Sequence, residues 1–177
     1  MIRFFDVFFS FIGLIFLFPI LFLIWFIGLL SNGSPLFLQK RIGRDLKAFT
    51  LIKFRTMPKN TKSVGTHYIK NIKLTSFQIF LRKSKLDEIP QLINVIIGDM
   101  SLVGPRPCLS NQIKLIKERK KRGIFNVRPG ITGLAQISGI NMRTATLLAK
   151  TDQKLIKEIN LYNYFNYILR TIFQIFR

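Results

Sequence analysis

The sequence predicts an α+β, mostly helical, membrane-attached chain. It should have an N-terminal membrane helix, either spanning or broken and re-entrant as in a monotopic protein, a small β-hairpin and interfacial amphipathic helices. Three observations carry this reading. Residues 4–30 are apolar apart from Asp6 and Ser10, longer than the ~20 residues a helix needs to cross a bilayer. Pro19 interrupts that segment at its middle, where a missing amide and a ring clash should kink or break the helix. The remainder carries most of the 28 Lys and Arg against only 8 Asp and Glu, for a net charge of +20 in 177 residues. Such an excess calls for polyanionic partners: nucleic acid, anionic lipid headgroups or phosphorylated substrates.

The apolar segment has two readings: a single spanning anchor, or a hairpin entering and leaving on the same face. Arg3 precedes it, and Lys40, Arg41, Arg44 and Lys47 follow it. The positive-inside rule draws both ends to the cytoplasm and supports the hairpin. Asp6 sits at the segment's start, where a carboxylate is costly unless paired; Arg3 is the expected partner. The segment exceeds the length of a signal-peptide core and has no A-x-A-like cleavage site. Residues 1–32 thus form a membrane-embedded unit and residues 33–177 a cytoplasmic, membrane-associated domain.

A turn cluster, Ser31-Asn32-Gly33-Ser34-Pro35, ends the apolar segment. Residues 36–57 alternate around a Gly43 turn and predict two short strands. Residues 58–65 are polar and loop-like. Residues 69–81 predict a helix, with Ile72, Phe77, Phe80 and Leu81 on one side. Ser84 is placed to N-cap the next helix, with Asp87 at capping-box spacing, and Gly98 to end it. Residues 111–122 form a basic helix, for which nucleic acid and membrane surface compete on charge alone; the apolar N-terminus favours interfacial docking. Residues 128–139 read as ordered loop with a short extended piece, and residues 155–176 as a helix or helix pair. The single Cys108 excludes an intramolecular disulfide, and with the single His67 it cannot complete a zinc site. A metal, if used, is a hard cation held by oxygen.

Against this basic background Asp87 and Glu88 stand side by side. Adjacent carboxylates repel, and one of them titrates high unless basic groups or a metal hold both ionised. An ionised Asp can act as a nucleophile. An isolated pair of this kind is more often a helix cap with a first-turn neighbour, and the surrounding motif decides otherwise. The block LRKSKLDEIPQLINVIIGDMSLVGPRP (residues 81–107) resembles the signature of the bacterial sugar transferases, the small monotopic phosphoglycosyl transferases. KFRTM (residues 53–57), RPGITGLAQISG (residues 128–139) and the apolar segment with its central proline agree, in the same order, over nearly the whole chain.

The resemblance implies transfer of a phosphosugar from a UDP-sugar to a polyprenyl phosphate, usually undecaprenyl phosphate, with release of UMP. That step initiates capsule, O-antigen, exopolysaccharide or glycoprotein glycan synthesis at the cytoplasmic face of the bacterial inner membrane. Carried over, Asp87 is the nucleophile that forms a covalent phosphosugar intermediate, and Glu88 associates with Mg²⁺, Asp87 lying beside the same ion. Arg106, fixed between Pro105 and Pro107, is assigned to substrate phosphate or uridine; Lys53, Arg55, Arg128 and Thr132 are placed near substrate. Asp99 is assigned a metal or a loop-holding role through Arg106, and Asp152 is a further candidate carboxylate. Leu134 stands where many members have Trp, and Phe18 where many have Ser before the membrane proline. The expected partners are UDP-sugar, polyprenyl phosphate and anionic lipid, not nucleic acid, with a homodimer left open. A membrane-anchored nucleic-acid-binding or scaffold protein is the competing reading; it leaves the acidic pair and the GPRP string without a purpose.

Overall fold

A computed structural model describes residues 1–58, 74–141 and 144–175. Its framework is mostly helical, with two small two-stranded sheets. Helix α1 (Ile2–Asn32) is the long apolar element, about 46 Å from end to end at 1.5 Å per residue. It stays helical on both sides of Pro19, so the expected break is not seen. Loss of one amide in a 31-residue ladder is a local cost, and helices at membrane depth tolerate it when neighbours satisfy the freed carbonyl. Gly33, in the left-handed conformation at φ 61°, stops the helix and donates its amide to Leu29 O at 2.8 Å.

Both halves of α1 rest on the remainder of the chain. At the first turns Arg3 donates to the carbonyls of Val95 (2.7 Å) and Ile96 (3.0 Å). Asp6 is buried and accepts from Ser101 Oγ, the Leu102 amide and Tyr164 OH at 2.9–3.0 Å. The expected Arg3–Asp6 pairing is therefore replaced. Each charged group finds better-placed partners in the domain, where desolvated backbone groups also need satisfying. Farther along, Ile24 packs with Phe54 and Leu81. Between these contacts Ile15, Phe16, Phe18 and Ile20 are exposed, leaving an uncovered apolar stretch centred on Pro19.

Strands β1 (Leu36–Ile42) and β2 (Ala48–Phe54) form the antiparallel hairpin the alternation predicts, in register from Leu36↔Phe54 to Ile42↔Ala48. Phe49 and Leu51 face inward onto Val95 and Met100, and the period of two puts Lys53 on that same face. Helix α2 (Ser76–Lys83) opens with a capping box between Thr75 and Gln78. Leu81 is buried, but Phe80 is exposed, outside the predicted apolar stripe. The expected loop over residues 58–65, beyond Pro58, and the start of the predicted 69–81 helix, including Ile72, lie outside the described residues.

Ser84 does not cap the next helix. Its hydroxyl closes α2 by donating to Phe80 O at 2.8 Å. Asp87 and Glu88 lie instead in a single 3₁₀ turn, Leu86–Glu88, before helix α3 (Gln91–Ile97), which Gly98 ends as expected. Strand β3 (Ser101–Val103) runs parallel to β4 (Gly130–Thr132). Helix α4 (Ile113–Lys121) is the basic helix. A one-turn helix α5 (Leu134–Ile137) occupies part of the segment expected as loop. The C-terminal pair is α6 (Ala145–Glu158) and α7 (Leu161–Ile175), beginning ten residues earlier than the periodicity indicates. Tyr164 and Tyr167 of α7 are buried with Val103 and Leu155, and Phe165 packs edge-on against Phe5 and Phe9 of α1.

The glycines of the two motif loops serve close packing. A Cβ on Gly130 would fall 2.0 Å from Gly104 N, and one on Gly104 would fall 2.7 Å from Arg128 O. The Gly130 amide donates to Pro105 O at 2.9 Å, so it supports the GPRP loop and is not left over to cradle phosphate. Gly130→Ala forces these two backbones apart. The expected result is a stability loss of about 3 kcal/mol, measured as a lowered unfolding midpoint in detergent.

Candidate active site

Asp87 is 5% exposed, and the turn carrying it follows Lys85, which adopts a left-handed conformation at φ 60°. A Lys in that region is uncommon, and such backbone persists where surrounding packing holds it, often beside functional groups. Burial, then the neighbouring Glu88 charge, pushes the Asp87 carboxyl up to about 6, against the pull of Lys53, Arg82 and Lys85. Glu88 moves the other way. Burial acts upward on it, but Arg106 and Lys85 outweigh that and hold it below its usual value. The repulsion inherent in adjacent carboxylates is thus resolved by giving them different environments. One stays firmly ionised, while the other is poised near physiological pH.

Arg106 supplies the asymmetry. Its Nη2 donates to Glu88 Oε1 at 2.6 Å, with Glu88 mostly covered and Arg106 41% exposed. Every carbonyl from Pro105 to Pro107 has a donor: Pro105 O the Gly130 amide, Arg106 O the Arg119 guanidinium at 2.8 Å, Pro107 O the Arg41 guanidinium at 3.2 Å. A loop pinned at three successive carbonyls fixes the direction of the Arg106 side chain. Arg119 is in turn held by Asp152, with two hydrogen bonds to Oδ2 at 2.7 and 3.0 Å. Among the described residues, Asp152 Oδ1 is buried without a partner. That uncompensated oxygen fits a carboxyl whose burial pushes it upward despite Arg119.

Lys53 reaches the pair from β2. Burial lowers its ammonium below the usual value, while Glu88 and Asp87 act in the opposite sense. Asn94 sets its height. Its side chain donates to Thr50 O at 2.8 Å and accepts from the Ile52 amide at 3.0 Å, clamping β2 to α3 just before Lys53. Arg41 is drawn down to about 10, first by burial and then by Arg106. Two carboxylates thus face Lys53, Arg41 and Arg106, with Lys85 and Arg82 also acting on Asp87. The surplus is positive, a balance that attracts polyanions.

The structure therefore unites Asp87, Glu88, Lys53 and Arg106. Arg55 shares the Phe37 ring with Lys53, but its guanidinium is bonded to Ser34 O and Leu36 O. Arg128 donates to Gly98 O and lines a separate cavity containing neither carboxylate. Thr132 is buried, with its hydroxyl bonded to Thr171. Asp99 contacts Asn94 at 3.4 Å, not Arg106, which is occupied by Glu88. Asp152 serves through Arg119. Arg41, Asn94 and Arg119 are the residues that sequence reasoning missed. Arg41 shares a strand face with buried Gln39, and Arg119 a helix face with buried Leu115; those spacings were the available signals.

Among the described residues, no group of three or more His, Cys, Asp or Glu is placed to hold a metal alone. Mg²⁺ is commonly bound by one or two carboxylates with substrate phosphates and water completing its shell. Among the described residues no hydrogen bond occupies the Asp87 carboxylate, and Glu88 engages Arg106 through Oε1. Carboxylate oxygens of this kind are the donors a hard cation takes.

The pH dependence follows from Asp87. The pKa of about 6 lies above the ordinary 3.8, so the folded state binds this proton more tightly than the unfolded chain. The linked stability is full below pH ~4 and is lost as pH rises through about 6. At pH 7.5 ionised Asp87 is destabilising by about 3 kcal/mol at most. Asp87→Asn should therefore raise the unfolding midpoint at pH 7.5 and leave it nearly unchanged at pH 4. Equal shifts at both pH values would contradict this.

A buried Asp87 and a mostly covered Glu88 thus lie in a net-positive cluster, on a chain that also carries one long apolar helix. The chain belongs to the bacterial sugar transferase family, whose model matches residues 1–177. It is 48% identical over 113 residues to an uncharacterized sugar transferase, EpsL, of Bacillus subtilis, covering 63% of this chain and 55% of that protein. It is 32% identical over 178 residues to the undecaprenyl-phosphate galactose phosphotransferase of Salmonella typhimurium, covering 91% and 37% respectively. It is also 32% identical to the exopolysaccharide production protein ExoY of Rhizobium meliloti, covering 96% and 83%. The chain thus spans little more than half of the first relative and about a third of the second.

Proposed function

We propose that this chain is a phosphoglycosyl transferase that moves a sugar phosphate from a UDP-sugar to undecaprenyl phosphate, releasing UMP. The observation that carries the reading is the division of the acidic pair: Asp87 buried and poised near pH 6, Glu88 held ionised by Arg106. An Asp87 carboxylate oxygen attacks the β-phosphorus of the donor. The bond from that phosphorus to the bridging oxygen breaks, and UMP leaves with the electron pair. A phosphate oxygen of the polyprenyl acceptor then attacks the same phosphorus and restores the carboxylate. Two steps let one small site serve a soluble and a lipid substrate in turn. Mg²⁺, when bound, neutralises the diphosphate so that an anion can approach it. Lys53, Arg41 and Arg106 hold substrate phosphates; Asn94 and Arg119 position them.

The acceptor's location is supported by α1. Its outer side presents Phe4, Phe11, Phe16, Phe18, Phe22 and Leu30 at more than half exposure, a surface suited to lipid and costly in water. Both halves of the helix lie against one domain, which favours attachment at a single face, here assigned to the cytoplasmic face of the bacterial inner membrane. Two relatives are named for galactose and N-acetylgalactosamine transfer, which makes their UDP-sugars the first donors to try. The test is a UMP-release screen of UDP-sugars with undecaprenyl phosphate and Mg²⁺ in nanodiscs. Acceptor-dependent UMP release from one donor supports the function; none from any donor, with folded protein, contradicts it.

A further inference from the structure

A second basic site lies at the turn end of the hairpin. A cavity of about 280 Å³ is lined by Arg3, Arg44 and Arg128. Gly104 and Pro105 form part of its wall, and Ile156 and Ile159 give it an apolar side. Lys53 sits near the opposite end of β2, roughly 20 Å along the hairpin at 3.3 Å per residue. None of Asp87, Glu88, Lys53, Arg41 or Arg106 lines the cavity.

Its charge is unbalanced. Asp6 is the one carboxylate in the lining, and its Oδ1 already accepts three hydrogen bonds. Arg3 donates to backbone carbonyls through Nη1 and Nη2, neutral partners that leave its charge uncancelled. Arg128 uses Nε on Gly98 O at 2.7 Å. Arg44 contacts Asp45 at 3.3 Å, with both side chains about half exposed, so solvent screens that pair heavily. The guanidiniums feel one another: burial first, then Arg44 and Arg3, lower Arg128 below its usual value. Guanidiniums grip phosphate through paired N–H donors, and three of them line this cavity.

The position names the source. Ile2, Arg3 and Asp6 belong to the first turns of the apolar helix, where Met1, Phe4 and Phe8 are exposed. Beside them, the Arg44 turn also exposes Leu46. We propose that this cavity binds the phosphodiester headgroup of an anionic bilayer phospholipid, with Arg3, Arg44 and Arg128 on the phosphate and the Ile156–Ile159 side against the glycerol backbone. The proposal rests on the membrane attachment proposed above. Because Gly104 and Pro105 also lead into Arg106, an occupied cavity would brace the loop that aims it.

The experiment uses the full chain in phosphatidylcholine nanodiscs with increasing phosphatidylglycerol, following the thermal unfolding midpoint. A ligand that prefers the folded state raises that midpoint saturably. Phosphatidylglycerol should do so for the unmodified protein, with an apparent affinity about fivefold weaker for Arg44→Gln. Lys150→Gln, an equal charge loss on the exposed side of α6 outside the cavity, should behave like the unmodified protein. Equal weakening by both variants would show diffuse surface attraction and overturn the site. So would an Arg44-dependent shift given by undecaprenyl phosphate or inorganic phosphate but not by phosphatidylglycerol. UMP release, measured in parallel, separates the two readings: a lipid shift without turnover leaves this site standing, and turnover without the lipid shift removes it alone.

Discussion

Asp87→Asn should abolish phosphosugar transfer, lowering UMP release by on the order of 10³-fold or more, as loss of a nucleophile does in covalent catalysis. The substitution keeps the shape of the side chain and removes the charge that attacks. At pH 7.5 the protein should remain folded and become more stable, because a buried charge next to Glu88 has been removed. The two signs together are diagnostic. A structural carboxylate would lose stability and activity together; a nucleophile carried at a stability cost loses only activity. Asp87→Glu tests position: the added methylene moves the oxygen by more than 1 Å, and a misplacement of that size costs ~10²-fold. UMP release should have an acid limb near pH 6 in kcat/KM, where Asp87 takes up its proton.

The second large effect is on stability. Arg119→Ala leaves Asp152 buried with neither oxygen satisfied, and removes the donor on the Arg106 carbonyl. Breaking a buried ion pair from one side costs about 3–5 kcal/mol. The expected result is a large fall in the unfolding midpoint, with residual transfer showing a raised KM for the UDP-sugar as Arg106 loses its fixed direction. Arg119→Met combined with Asp152→Leu should recover most of the stability, since an apolar pair of similar volume avoids the desolvation. It should not recover KM, because the Arg106 carbonyl still lacks its donor. Recovery of both would mean that the pair only fills space.

Much of this architecture is legible from residue spacing. The alternation around Gly43 gives the hairpin, Gly98 the end of α3, and the clustered charges of residues 111–122 the basic helix. What stays hidden has physical causes. The first half of α6 carries a buried stripe of Ala145, Leu148, Ala149 and Asp152. Two small residues and a carboxylate on the core face obscure the apolar period that reveals a helix. Ser84 satisfies the pattern for an N-cap, but its hydroxyl bonds backward into α2, a competition that Ser permits at either end of a helix. The Asp87–Glu88 pair is visible as an anomaly of charge, whereas the division between its members depends on Arg106. That residue is aimed by contacts with Arg41, Arg119 and Gly130 from three other parts of the chain. Local patterns report local geometry, and this site is assembled across more than 60 residues by carbonyl contacts that no motif displays.

The covalent step proposed at Asp87 is tested by trapping it. The protein is mixed with Mg²⁺ and a UDP-sugar radiolabelled in its β-phosphate, without acceptor, then quenched, digested and mapped. A burst of UMP approaching one equivalent per protein is expected. Label should appear on the peptide carrying Asp87, be lost on adding undecaprenyl phosphate, and be absent in Asp87→Asn. Transfer to the lipid with no burst and no labelled peptide, or label on any other residue, would contradict it.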